Sequence, residues 1–388
     1  MTDMVKLRDV LTPWKDMVQV EDPRSVPLIS VKLYGQGAVR REISDGKAPK
    51  PFTGNRGRAG QFVFSRIWAR RGAMALLPSS LDGVVVTNEF PLFDINQNRL
   101  EPKYLLYLVQ TRAFLDELER VSAGASGQNR VKEAAFLNIA VQLPPLDEQR
   151  RIVDILDRAD AIRAKRRHML ADFDELPRSL FERMFGNGDW NRIPLNQIVG
   201  NMQGGKNLVA DDASAESVNR VLKISAVTSG HFRPEESKPL PDEYVPPTEH
   251  FVRDGDLLIT RANTAEMVGA AVLVHGSYPH LVLPDKIWRF VWRDAAAQNP
   301  VYILWLLRTL EIRRAMSALS SGTSGSMKNI SKAKLLAMNI PFPPISLQRD
   351  FARRVEAIAA ARAKVERALA LDDELFASLQ SRAFRGEL

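Results

Sequence analysis

Few residues in this chain have the types and spacing that chemistry needs. Gly204-Gly-Lys206 has the composition of a phosphate-binding loop but lacks its spacing and its Ser or Thr, and Gly322 to Lys328 fails in the same way. Pro284-Asp-Lys286 begins like a nuclease motif, yet no acidic residue and lysine follow at the right distance. Asp372-Asp373 falls on the charged flank of a predicted helix, where carboxylates are solvated. The five histidines include no two at metal-ligand spacing. The absence of cysteine excludes a disulfide framework, a zinc–thiolate site and an iron–sulfur cluster, and fits a reducing cytosol. The chain is therefore expected to have no catalytic residues, no metal and no cofactor of its own.

Asn299-Pro-Val-Tyr302 is similar to the Asn-Pro-Pro-Tyr signature with which adenine methyltransferases hold a flipped base. Here Val301 replaces the second proline, and no glycine-rich S-adenosylmethionine loop precedes it. An earlier segment of the same pattern, Glu101-Pro-Lys-Tyr104, could not do that job. Both read better as helix starts with proline in the first turn.

Basic residues carry the remaining signal. The net charge of +8 suggests a polyanionic partner. Arg66, Arg70 and Arg71 follow one predicted strand, and Arg261 and Asn263 follow another. Two Gly/Ser-rich loops lead into Gln128-Asn129-Arg130-Val-Lys132 and Lys328-Asn329-Ile-Ser-Lys332. Glycine and serine permit close backbone approach, while Arg, Lys, Asn and Gln hold phosphates and read base edges. These residues form the candidate DNA-binding set. Lys165-Arg-Arg-His168 lies on a predicted helix and reads as a solvated flank.

The elements that must position them are duplicated. Leu143 to Gly186 and Phe342 to Arg385 align without a gap, sharing Pro144/Pro343, Pro145/Pro344, Gln149/Gln348, Arg163/Arg362, Leu176/Leu375, Phe185/Phe384 and further pairs. Ile152, Ile155, Ala159, Ile162, Met169, Phe173, Leu176 and Leu180 keep steps of three and four interrupted only by Arg166, as do Phe351, Val355, Ile358, Ala361, Val365, Ala368, Leu375 and Leu379, interrupted by Asp372. Sustained apolar heptads predict a coiled coil of two helices, each about 35 residues and ~50 Å long. Pro177 is expected to kink or end the first. The helices would run antiparallel if the halves are related by a pseudo-two-fold axis; parallel packing is the alternative.

Each helix follows a mixed segment with the same order of elements. Val26 to Val31, Gln61 to Phe64, Gly83 to Val86 and Asn138 to Leu143 read as strands, and the chain from Glu101 reads as a helix. In the second half Val221 to Val227 stands where Val26 to Val31 stood, and Gly255 to Arg261 matches Gly60 to Arg66. The predicted fold is α+β. Two tandem mixed α/β domains, 1–145 and 188–344, alternate with a central helix, 146–187, and a C-terminal helix, 345–388. With 388 residues and 45% hydrophobic content, each half can bury its own core. No apolar stretch is long enough to span a bilayer and no leader is apparent, so a soluble cytoplasmic protein without membrane contact is expected.

This organisation resembles the specificity subunit of a type I restriction–modification enzyme. Leu143-Pro-Pro-Leu-Asp-Glu-Gln-Arg-Arg-Ile152 is similar to the hallmark sequence ending each recognition domain, and Phe342-Pro-Pro-Ile-Ser-Leu-Gln-Arg349 is a looser copy. The copy departs at Ser346-Leu347, where the family has an acidic pair, and Gln61 stands where Asp256 keeps the usual Gly-Asp. The resemblance implies two target-recognition domains reading the halves of a split, asymmetric site in double-stranded DNA. The coiled coil would act as a fixed spacer on which two methyltransferase subunits dock, with restriction–translocase subunits joining them. S-adenosylmethionine, ATP and magnesium would then belong to the partners. The rival readings are a scaffold of a methylation-only or phage-defence system, a protein–protein adaptor with a basic surface, and a divergent methyltransferase.

Overall fold

The computed structural model describes residues 3–43, 50–122, 130–206, 217–241, 243–321 and 328–388. The chain divides into two compact units, one of residues 1–168 with 366–388 and the other of residues 169–365. Two long helices, Leu146–Phe185 and Ile345–Ala383, each contribute one part to each unit.

In the first unit a four-stranded antiparallel sheet has the order Leu11–Trp14, Leu92–Ile95, Phe62–Phe64, Met74–Leu76. Its central strand Phe62–Phe64 is wholly buried, as a continuous apolar run should be. Phe64 packs on Phe136 with ring centroids 4.6 Å apart, and Phe62 and Phe93 complete the aromatic centre. A short pair joins Asp3–Lys6 to Ala140–Leu143. In the second unit the corresponding sheet is Val199–Gln203, Ile287–Trp292, Leu257–Thr260, Ala271–Leu273, and Arg192–Pro194 pairs with Asn339–Pro341.

The units differ beside these sheets. Met17–Val20, Phe52–Arg56 and Val85–Val86 pair antiparallel in the first, whereas Arg220–Leu222 of the second pairs antiparallel with Ser237–Pro239 and parallel with Leu281–Val282. The expectation of a strand through Val227 fails: it stops at Leu222, and Ser225–Thr228 is a turn of helix. The strand expected over Val26 to Val31 is confined to Ile29–Val31. Gln61 and Asp256 hold the same turn, each accepting the amide three residues before it, from Arg58 or Arg253. Gln61 then donates to Asp94, whereas Asp256 pairs with the buried Arg289 at 3.1 Å. Burial raises the Asp256 carboxyl above its ordinary value, opposed by the Arg253 amide and Arg289.

The repeated joint is built the same way in both units. Gln149 is fully buried; its side-chain carbonyl accepts the Glu101 amide at 2.8 Å, and its amide donates to the Arg99 and Pro144 carbonyls. Gln348, equally buried, accepts the Asn299 amide at 2.9 Å and donates to Pro343. Each glutamine thus ties a long helix to the start of a proline-led helix, Pro102–Val109 or Pro300–Arg308. Tyr104 and Tyr302 lie one turn in, hydroxyls on the Gln142 and Pro341 carbonyls, with Phe384 5.0 Å from one ring and Phe185 4.9 Å from the other. Tyr302 is a buried core residue, as the helix-start reading requires.

The long helices run antiparallel within each unit: Arg151 reaches the Leu388 carbonyl and Arg163 reaches Asp373 in one, while Arg362 pairs with Asp174 and Phe351 meets Phe181 edge to face in the other. The apolar seam is shorter than the heptads predict. Ile152 and Phe351 are buried, Ile155, Ala159, Phe173, Val355, Ile358 and Val365 partly so, but Ile162, Leu176 and Leu375 are exposed. Val153, Leu156, Phe181 and Phe376 are buried instead. The apolar contacts gather where helix ends meet the globular cores, and charge holds the remainder. Arg163 pairs with Asp373 at 2.6 Å beneath the Phe376 ring, and Arg166 with Asp372. Pro177 does not end its helix, which continues to Phe185.

Candidate nucleic-acid interface

The cations singled out from the sequence gather at one end of the buried central strand in each unit. In the first, Phe62–Phe64 runs into Arg66, whose amide donates to the Glu89 carbonyl and whose carbonyl accepts the Val131 amide. These two bonds bring three distant segments together. The Arg66 guanidinium pairs with Glu133, and Arg130 pairs with Glu89 at 2.7 Å. Arg70 and Arg71 lie on the short helical turn Ala69–Arg71, and Lys132 is exposed at the start of Glu133–Leu137. Arg66, Arg70, Arg71, Arg130 and Lys132 thus outnumber the carboxylates Glu89 and Glu133. Gln128 and Asn129 lie outside the described residues.

The second unit repeats the frame with other side chains. The Arg261 amide donates to the Lys286 carbonyl, and its carbonyl accepts the Ile330 amide. Arg261 pairs with Asp285 at 2.9 Å, so the acid of the nuclease-like Pro284-Asp-Lys286 is engaged by an arginine. Arg261 and Lys332 both stand by the Trp288 ring, 5.8 and 5.5 Å from its centre. Ala262–Asn263 pairs with Lys328–Asn329, placing Asn263 opposite Lys328 and Ala262 opposite Asn329. The shared frame sets Lys332 where Glu133 stands in the first unit.

Three buried polar atoms without a hydrogen-bond partner belong to this arrangement: Arg66 Nε, Glu89 Oε2 and Asn263 Nδ2. Such atoms cost free energy until water or a ligand satisfies them. Paired arginines are held in fixed orientation, a geometry suited to bidentate contact with phosphate or a guanine edge. Sequence reasoning missed the acids Glu89, Glu133 and Asp285 and the aromatics Trp68 and Trp288. The position of Trp68 between Arg66 and Arg70 was the available signal. By contrast, Arg166 and Arg167 of the basic helical run are spent on Asp372 and Asp373. Among the described residues no group of acidic or histidine side chains could hold a metal, and no helix is long and apolar enough to cross a membrane.

Residues 39–169 match the family model of the type I restriction modification DNA specificity domain. The specificity subunit of the type I restriction enzyme EcoKI from Escherichia coli K12 is 28% identical over 312 residues, 74% of this chain and 65% of that protein. The corresponding subunit of EcoEI from Escherichia coli is 32% identical over 171 residues, 43% of this chain and 28% of that protein. The chain thus spans less than two thirds of the length of these relatives. In fold, it superposes with a TM-score of 0.64 at 18% identity on a chain solved in work on complex assembly and conformational transition of the type I R-M system, covering 100% of this chain and 98% of that one. In its matched domain, its duplicated sheets and its paired long helices the chain is similar to type I restriction–modification specificity subunits.

Proposed function

We propose that the chain reads a split, asymmetric site in double-stranded DNA, one half with the Arg66 cluster and the other with the Arg261 cluster. The observation that carries this reading is the recurrence of one backbone frame, around Arg66 and around Arg261, with different side chains filling it. A conserved frame with divergent contacts is what two readers of different sequences need. Segments 1–145 and 188–344 would act as recognition domains, with the long helices keeping the half-sites at a fixed separation. Two methyltransferase subunits would dock on the frame of the long helices. The partners would bring S-adenosylmethionine and flip the adenine, and restriction–translocase subunits would add ATP-dependent cleavage with magnesium. This chain would contribute binding and orientation, with no turnover of its own.

Methylation mapping in a host carrying the chain and its partner subunits tests the reading. Replacing residues 1–145 by those of a relative should change one half of the methylated motif and leave the other intact. A motif without two separable halves would overturn it, as would DNA binding independent of sequence, which a basic adaptor would give.

A further inference from the structure

We infer that the turn leaving the central strand is the base-reading element of each unit, with Trp68 and Met267 as its apolar contacts and Arg313 as the residue that positions the second turn. The inference rests on the DNA-reading function proposed above.

The turns occupy the same place. The Ser65 amide donates to Ala73 at 2.9 Å and the Thr260 amide to Ala270 at 2.9 Å, closing equivalent hairpins over residues 66–72 and 261–269. The second is longer by two residues. Both end on a glycine in the left-handed region, Gly72 at φ 72° and Gly269 at φ 77°. Each begins on the arginine of its cationic cluster and displays apolar side chains beside it. Ile67 and Trp68 are 42% and 46% exposed, Met267 is 44% exposed, and the Arg71 guanidinium lies 5.3 Å from the Trp68 ring.

Exposing such groups among cations is costly in water but suits the major groove. There phosphates meet the arginines, while the thymine C5-methyl offers an apolar partner. A base-reading turn must also be held still, and both are, by different means. In the first unit the Tyr34 and Gly35 amides donate to the Arg71 and Gly72 carbonyls at 2.8 and 2.9 Å, with Tyr34 itself at φ 56°. In the second, Arg313 donates to the Val268 carbonyl at 2.8 Å and to the Glu266 carbonyl, and Ser317 donates to Ala265 at 3.4 Å. Neither Arg313 nor its neighbour Arg308, which donates to the Gly230 and Ala271 carbonyls, has a carboxylate partner among the described residues. Arg313 is thus committed to turn carbonyls and acts by shaping the turn that carries Met267.

The test is the methylated motif of the complete complex. Trp68→Ala should relax one or two base pairs of one half-site by roughly five- to tenfold, the low end of the cost of a single lost base contact, and leave the other half unchanged. Met267→Ala should do the same to the opposite half. Arg313→Ala should relax the positions that Met267→Ala relaxes, and Arg313→Lys, which keeps a donor, should restore part of the discrimination; a merely stabilising residue would lower methylation at all sites alike. Trp68→Gln, which keeps more of the side chain than alanine does and replaces the apolar ring by a polar amide, serves if the alanine variant does not assemble. An unchanged motif in these variants, or equal relaxation of both halves, overturns the inference. Absence of a bipartite motif with the unsubstituted chain overturns the function on which it rests.

Discussion

A buried glutamine is costly unless every polar atom finds a partner, and Gln149 and Gln348 meet that condition with partners that define the joint. The carbonyl of the first proline in each Pro-Pro, Pro144 or Pro343, accepts the glutamine amide. Gln149→Leu keeps the volume and removes all three bonds, leaving the Glu101 amide and two carbonyls unpaired. The expected cost is about 1–3 kcal/mol, read as a lower denaturant midpoint. Gln348→Leu, which removes two bonds rather than three, should lower the midpoint in the same direction and by less. Replacing a solvent-facing neighbour such as Arg150 should change stability by less than about 0.5 kcal/mol.

At the scale of the element, the long helices show why periodicity alone overstates a seam. Ile162, Leu176 and Leu375 fall on heptad positions, yet their side chains are exposed, and the pairing beside them rests on Arg163, Arg166 and Arg362. These ion pairs are not equivalent to exposed ones. The Arg163 side chain is only 17% exposed, bridges Asp160 and Asp373, and covers Phe376 at 4.2 Å. Arg163→Ala should cost about 1–2 kcal/mol, combining lost cation–π contact and packing with a pair still partly screened by solvent. Arg354→Ala, which removes an exposed partner of Asp350, should fall within about 0.5 kcal/mol of the parent. A double-mutant cycle with Asp373→Ala separates the ionic part of the Arg163 effect, which should shrink in high salt.

For the whole molecule, the proposed function makes helix length a measuring device. The unit boundaries fall at 168/169 in one long helix and 365/366 in the other. Inserting four residues at both places leaves the contacts within each unit intact. It would add about 6 Å of helix, close to two base pairs of DNA at ~3.4 Å each. The methylated motif is expected to keep both half-sites and lengthen its unread spacer; an unchanged spacer would show that the helices do not set the distance. Insertion into the first helix alone should also destabilise the first unit, because it displaces Arg163 and Arg166 from Asp373 and Asp372 if placed before them.

The sequence by itself determined the duplication, its register, the α+β order of each half and the joint. Those features are carried by local spacing and by pairs such as Gln149/Gln348 and Phe185/Phe384, whose equivalence survives into the packing on Glu101/Asn299 and Tyr302/Tyr104. The placement of Arg66 and Arg261 after a buried strand was legible for the same reason. Only the tertiary structure decided which cations are engaged and by what. Glu89, Glu133, Asp285 and Asp372 lie far along the chain from the arginines they meet, and no spacing rule joins them. It also decided that the helix seam is confined to the ends. A heptad reports that one face is apolar; what covers that face depends on elements that arrive from elsewhere in the chain.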